Sequence, residues 1–353
     1  MKIIVYSKAF FPSLGGLERN SYTLCNTLLD LGYEVSLITE TLEETDSYSF
    51  QFKVIRTTNL FEIFRVLYKS DFLIINGGIS APLCLMSWFL SKKYAPLYVS
   101  SNVYRREGNT IKTKINNWIR KGLAEKAAVN ICLTHYAANQ LSLNNKEVRV
   151  IYNPIDNDLL AIAKGIKEQE AKIKRYDLLF AGRIIKGKGV FLLAEAVEIL
   201  KDKYNLDVKL AYAGEGPDLE DLRKTLAGKN ISVAFLGVLD KKELLDAYSD
   251  SKLLVVPSTS HIEGNPLVIT EALTVGTPVI VSDQPAMVEI IQSAGLVFQS
   301  GDAGDLAKVI TEGLKQLLQL EEKVEEISSV FSPVWYKQRF ESLLNDISNT
   351  PFK

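Results

Sequence analysis

Short apolar runs alternate with amphipathic segments along almost the whole chain, and this alternation constrains the fold more than any other feature. "KIIVYS" reads as a strand. "LERNSYTLCNTLLDLG" has helical period and closes at Gly32, a residue suited to a helix C-terminus. "EVSLIT", "FLII", "PLYVSS", "VNICLT" and "VRVIY" continue the strand series to residue 152, with helical stretches between most of them. Such alternation implies parallel sheets with helices on both faces.

A second series follows a polar, Lys-rich, strand-free stretch at 157–175. Its strands are "YDLLFAG", "DVKLAYAG", "ISVAFLG", "KLLVVPS", "TPVIVS" and "GLVF". The expectation is two doubly wound, Rossmann-like α/β domains facing across a cleft. Residues 1–156 form the first, 157–175 a linker and 176–330 the second. Residues 331–353 form a last amphipathic helix, "PVWYKQRFESLLND", that packs back on the first domain. In open sheets of this class ligands sit beyond the carboxyl ends of the strands, so the loops after each strand carry the chemistry.

The 353 residues suffice for two domains of ordinary size. The net charge of −1 names no polyanionic partner, and nucleic acid is not expected. Three scattered cysteines, Cys25, Cys84 and Cys132, have neither disulfide-framework nor metal-ligand spacing and suit a reducing compartment. "MKIIVYS" runs straight into a strand without a signal-peptide core, and "APLCLMSWFLSKK" is too short an apolar run to span a bilayer. The expected location is the cytoplasm.

Four loops carry candidate chemistry. Gly15 and Gly16, after the first strand, serve either as a turn and helix start or as a point of close approach to a ligand. No G-x-G-x-x-G follows that strand. "RIIKGKG" offers a guanidinium, Arg183, and an ammonium, Lys188, in one glycine-rich loop, a combination suited to a diphosphate; Lys186 reads as solvated. Gly214 and Gly216 open a helix, through phosphate contact or plain capping. In "HIEGNPLVITEAL", Asn265 is expected as N-cap with Pro266 at the first helical position, so the free N–H groups beside Gly264 make an anion site. Glu271 on that helix and Glu263 before it suit neutral hydroxyls, although by spacing alone a dipole-favoured glutamate plus a solvated one is the better account.

Together, "LGGLE", "AGRIIKGKG", "GEGP", "FLGVLDKKELLDAYSDSKLLVVPS" and "EGNPLVITEALTVGTPVIVS" resemble the retaining glycosyltransferases of family 4, which have the two-domain GT-B fold. The resemblance implies that Glu271 binds the ribose of a nucleotide-sugar donor and that Glu263 sits by the donor sugar. It implies that Arg183 and Lys188 bind the diphosphate, with Gly214, Gly264, Asn265, Pro266 and Leu267 also on the donor. Gly15 and Gly16 would close over the diphosphate, and Gly237 and Val238 would contact the base. A His that often faces the donor sugar in that family is replaced here by Asn102, in "SSNVYRREG". His135 and His261 read as structural.

The implied activity is transfer of a sugar from a UDP-sugar to a glycan or lipid-linked glycan in surface polysaccharide synthesis. The nucleotide sugar is a substrate, and no cofactor or metal is expected, since no Asp-x-Asp lies near these loops. Rival readings are a GT-B epimerase or phosphorylase, a nicotinamide dehydrogenase suggested by Glu40 after the second strand, and a non-catalytic binding module. Residues 105–126, with seven Lys/Arg against two Glu, could contact an anionic membrane at the cytoplasmic leaflet. Their apolar stripe, Ile111, Ile115, Trp118, Ile119 and Leu123, is expected to pack on the first sheet and leave the basic residues to act from the solvent side.

Overall fold

The computed structural model describes residues 1–349 except 13–14, 43–48, 100–107, 109, 144–146, 169–172, 230 and 260–265. The chain divides into two units, Met1–Asn153 with Pro333–Lys353, and Pro154–Ser332.

The first unit holds a seven-stranded parallel sheet: β1 (Lys2–Ser7), β2 (Glu34–Thr39), β3 (Lys53–Arg56), β4 (Phe72–Asn76), β5 (Lys93–Tyr98), β6 (Asn130–Cys132) and β7 (Val148–Val150). The strands lie in the order β3-β2-β1-β4-β5-β6-β7. Successive side chains of a strand point to opposite faces, and the core follows that rule. Ile3 and Val5 of β1 join Phe72 and Ile74 of β4 on one face, where α1 (Gly16–Asp30) packs. Ile4 and Tyr6 join Leu73 and Ile75 on the other, under α2 (Leu60–Tyr68), α3 (Ala81–Phe89), α4 (Ile111–Lys126) and α5 (His135–Gln140). Strand β3 has no counterpart in the strand series read from the sequence; it is an edge strand of four half-buried or exposed residues, too short and too polar to stand out.

The second unit holds β8 (Tyr176–Ala181), β9 (Lys209–Ala213), β10 (Ser232–Gly237), β11 (Ser251–Val256), β12 (Val279–Ser282) and β13 (Gly295–Phe298). These strands are parallel and lie in the order β10-β9-β8-β11-β12-β13. Its helices are α6 (Asn157–Lys167), α7 (Val190–Tyr204), α8 (Leu219–Leu226), α9 (Lys241–Ser249), α10 (Leu267–Thr274), α11 (Pro285–Ile291), α12 (Ala303–Lys315) and α13 (Leu317–Ile327).

Three expectations change. The stretch 157–175 is not a plain linker. Asp156 caps α6 by accepting from the Leu159 N–H at 2.8 Å, and the helix packs on α9. Leu159, Ala163 and Ile166 recur at helical spacing and are buried, a stripe that the lysines around it obscure in the sequence. Lys241 of α9 bridges Asp156 and Asp158 at 3.5 and 3.2 Å. Burial works against its charge, but the two carboxylates prevail and raise its pKa. Second, the α4 stripe does not pack on the sheet: Ile111, Ile115, Trp118 and Ile119 are exposed, and only Leu123 is buried. Leu123, at the end of that stripe, and the adjoining Ala124 make the core contact instead. Third, α10 begins at Leu267, one residue later than expected.

The tail helix α14 (Pro333–Asn349) completes the α1 face of the first unit with Tyr336, Phe340, Leu343, Leu344 and Ile347. Burial pushes the Tyr336 hydroxyl pKa well up, and its Oη finds no hydrogen-bond partner among the described residues. A buried hydroxyl without a partner costs about 1–3 kcal/mol. Tyr336→Phe keeps the ring and should therefore leave stability unchanged or raise it by about 1 kcal/mol, read as the urea midpoint. A clear loss of stability in that variant would mean that the hydroxyl is satisfied.

Candidate active site

Strands β8 and β11 are neighbours in the second sheet, yet they open its two halves. Helix α7, which follows β8, packs into the core around Leu178, Phe180 and Val255. Helix α10, which follows β11, packs with α9 against β11 and contributes nothing to that core. The loops leaving β8 and β11 therefore part at the strand order's switch point, where this fold class leaves a crevice for ligands.

Backbone contacts lock these loops together. Ile184, buried behind the exposed Arg183, donates its N–H to Glu215 O at 2.8 Å and accepts from Asp218 N at 3.3 Å. Thr259 N, in the loop after β11, donates to Gly187 O at 3.0 Å. Asp218 accepts from Lys186 N at 2.6 Å. Three glycines are demanded by this packing, among them Gly216, where a Cβ would overlap Ile184 O. Gly189 has φ +74°, and a Cβ there would overlap Pro257 O. Gly214 has φ +130°, and a Cβ there would overlap Gly182 O. Loop packing thus accounts for Gly214 without any phosphate.

On this base stand the two cations read from the sequence. Arg183 is exposed and has no side-chain hydrogen bond or ion pair among the described residues. Lys188 is half-buried in a short 3-10 turn, Lys186–Lys188. Its Nζ lies 4.0 Å from where a Gly182 Cβ would be, so it folds back over the end of β8.

Helix α10 begins at Leu267, and Pro266 occupies its N-cap position, one residue earlier than the expected first helical place. Pro266 is buried at φ −70° and offers no side-chain cap; its carbonyl accepts from Ile269 N at 3.1 Å. The first N–H groups of the helix, including those of Leu267 and Val268, have no intrahelical partner. Glu271, one turn further, is 3% exposed, and its Oε2 accepts from Tyr248 Oη at 3.1 Å. Tyr248, at the end of α9, holds this carboxylate and has no counterpart in the sequence reading; it looks like any buried helix-face aromatic and stands 23 residues from its partner.

Gly237 ends β10 at φ +68° and accepts from Gly214 N at 2.7 Å, while the next residue, Val238, is 71% exposed. In the first unit, Gly15 is the N-cap of α1 and Gly16 its first residue. A Cβ at Gly16 would meet nothing within 4 Å. Asn102, His261, Glu263, Gly264 and Asn265 lie outside the described residues. Among the described residues no group of three His, Cys, Asp or Glu could hold a metal ion, and no helix is long and apolar enough to cross a membrane.

Residues 163–329, most of the second unit, match the family described as glycosyl transferases group 1. The match to group 1 glycosyl transferases thus lies within the second unit. A 41.2 kDa protein of the cps region of Klebsiella pneumoniae is 25% identical to the chain over 286 residues, 78% of this chain and 76% of the relative. The α-monoglucosyldiacylglycerol synthase of Streptococcus pneumoniae is 24% identical over 370 residues, 93% of this chain and 83% of the relative. HepE of Anabaena, solved in complex with UDP, matches at a TM-score of 0.75 and 17% identity over 98% of this chain and 100% of its own. That likeness shows the fold, the GT-B arrangement of two parallel-sheet α/β units. The interlocked loops and the start of α10 lie within the matched stretch.

The two kinds of glycine separate in a stability measurement. Gly189→Ala must move the Pro257 carbonyl and adopt a left-handed backbone, and should lose about 3 kcal/mol, near the upper end for a single change. Gly16→Ala meets open space at a helix start and should gain up to about 1 kcal/mol. Equal thermal shifts in the two variants would contradict the loop packing.

Proposed function

We propose that the protein transfers a sugar, with retention of anomeric configuration, from a UDP-sugar to a glycan or lipid-linked glycan during cell-surface polysaccharide synthesis. The observation that carries this reading is the pair Arg183 and Lys188, held on interlocked loops at the switch point, with α10 following the neighbouring strand β11. Two cations and the N–H groups of a helix start suit a diphosphate far better than a neutral ligand. The UDP held by HepE and the cps-region location of the Klebsiella relative support the donor and the setting.

In the proposed reaction the bond from the anomeric carbon to the diphosphate breaks, and its electron pair leaves with the diphosphate. The sugar passes through an oxocarbenium-like state. The acceptor hydroxyl attacks from the face the diphosphate leaves, and its proton goes to a phosphate oxygen. Arg183, Lys188 and the N–H groups of Leu267 and Val268 act on the charge that grows on the leaving group, which is selective stabilisation of the transition state. Glu271, aligned by Tyr248, takes the ribose hydroxyls, with Gly237 and Val238 beside the base. Gly15 and Gly16 carry the donor role that the family resemblance implies, and Glu263 and Asn102 the role at the donor sugar. No divalent cation is required when the protein itself supplies this positive charge. A peripheral contact of 105–126 with an anionic membrane, at its cytoplasmic face, would bring the enzyme to a lipid-linked acceptor; the lipid-glycosylating relative of Streptococcus supports that placement.

With a labelled UDP-sugar and acceptor, the glycoside should form with the donor's anomeric configuration, and EDTA should leave the rate unchanged. An inverted product, or loss of turnover in EDTA that Mg²⁺ restores, would refute those parts of the reading. Arg183→Ala and Lys188→Ala should each lower kcat/KM for the donor about tenfold to a hundredfold, the effect of one charge-assisted contact of about 1.5–3 kcal/mol. Glu271→Ala should weaken UDP binding, and Tyr248→Phe should do so to a lesser degree. Unchanged affinity in both variants would place the ribose elsewhere.

A further inference from the structure

The outward side of α4 is apolar where a helix of a water-facing surface is ordinarily polar. Ile111 and Trp118 are 78% and 77% exposed, with Ile115 and Ile119 between and beside them on the same helical stripe. The inward side is already occupied: Leu123 and Ala124 are buried, and Arg120 Nη1 donates to Ile79 O at 2.8 Å. At about 100° per residue, Lys112 lies on one flank of the stripe and Lys114 and Lys121 lie on the other. Over Ile111–Lys126 the helix carries Lys112, Lys114, Arg120, Lys121 and Lys126 against Glu125 alone.

The surface continues onto the neighbouring helices. Helices α2, α3 and α4 cover the same face of the first sheet. Lys126 Nζ lies 4.5 Å from the centre of the exposed Trp88 ring at the end of α3. The adjacent Phe89, 76% exposed, meets Phe64 of α2 with ring centres 6.4 Å apart. A cluster of exposed Trp, Phe and Ile side chains of this kind marks a surface that is covered in use. The lysines decide what covers it. Protein interfaces are depleted of lysine around their apolar centres. Helices that lie in a lipid headgroup layer have lysines on both flanks of the stripe, with stems along the apolar surface and ammonium groups at phosphate height.

We propose that the α2–α3–α4 face docks on an anionic lipid bilayer, with Ile115 and Trp118 entering the boundary between headgroups and acyl chains and Lys112, Lys114 and Lys121 meeting the lipid phosphates. This deepens the peripheral contact proposed above and rests on it for its purpose. It replaces a purely electrostatic attachment with one that also buries apolar side chains. Its test uses no sugar nucleotide, so its outcome does not depend on whether sugar is transferred.

The experiment is sedimentation of the full chain with phosphatidylglycerol-containing vesicles and with pure phosphatidylcholine vesicles, together with tryptophan emission. The anionic vesicles should bind the protein and shift its emission to shorter wavelength, and Trp118→Phe should remove most of that shift. The Ile115→Ser/Trp118→Ser variant should bind at least tenfold more weakly at unchanged thermal stability. The Lys112→Gln/Lys114→Gln/Lys121→Gln variant should lose about a hundredfold, at about fivefold per lysine near an anionic surface. Absence of binding to anionic vesicles would overturn the proposal. So would binding without an emission shift that is indifferent to the Ile115 and Trp118 changes, or a dimer in solution that those changes dissolve.

Discussion

The loops that leave β8, β9 and β11 run so close together that a side chain at Gly189 or Gly214 would occupy a neighbouring carbonyl. Four inter-loop hydrogen bonds, through Ile184, Asp218 and Thr259, close the remaining gaps. The rest of the candidate site depends on this contact. Side chains that recognise charge must be held in place before the ligand arrives, or their ordering cost is subtracted from binding. Here the holding is done by backbone and by the buried Ile184, which leaves Arg183 exposed at one end of the loop and Lys188 folded against the other.

The same arrangement separates the glycines by role. Those in "AGRIIKGKG" and "GEGP" that look like ligand-approach residues serve loop packing at Gly189 and Gly214. Gly16 is the contrary case, since nothing in the described fold stands where its side chain would be. A glycine that the fold does not require is a better marker of ligand approach than one that the fold does require. Glu271 adds a second kind of preorganisation: a nearly buried carboxylate aligned by a tyrosine hydroxyl on the preceding helix.

Much of this was legible from the chain alone. Strands such as "YDLLFAG" and "TPVIVS" stand out because both of their faces are buried, which leaves a continuous apolar run. Arg183 and Lys188 stand out as candidates because they lie in the loop after such a run, and Glu271 because it follows a helix start signalled by Asn265 and Pro266. What was not legible depends on distant contacts. The Gly189 clash is with Pro257, and the Glu271 partner is Tyr248; no local pattern announces either. Helix α6 and strand β3 were missed because a short apolar stripe among lysines and a four-residue edge strand carry too little periodic signal. The α4 stripe was recognised as helical, but its period is the same whether it meets a sheet or solvent, and only the placement of Leu123 and Ala124 tells the two apart.

The central claim is that the basic loop at the switch point holds a nucleoside diphosphate by its phosphates. The most direct measurement compares the affinities of UDP and uridine by calorimetry, in the wild-type protein and in an Arg183→Ala/Lys188→Ala variant. The account predicts that UDP binds the wild type far more tightly than uridine does. It predicts that this gap largely closes in the variant while uridine affinity is unchanged. An equal gap in both proteins would contradict it, because the phosphates would then be held by other groups.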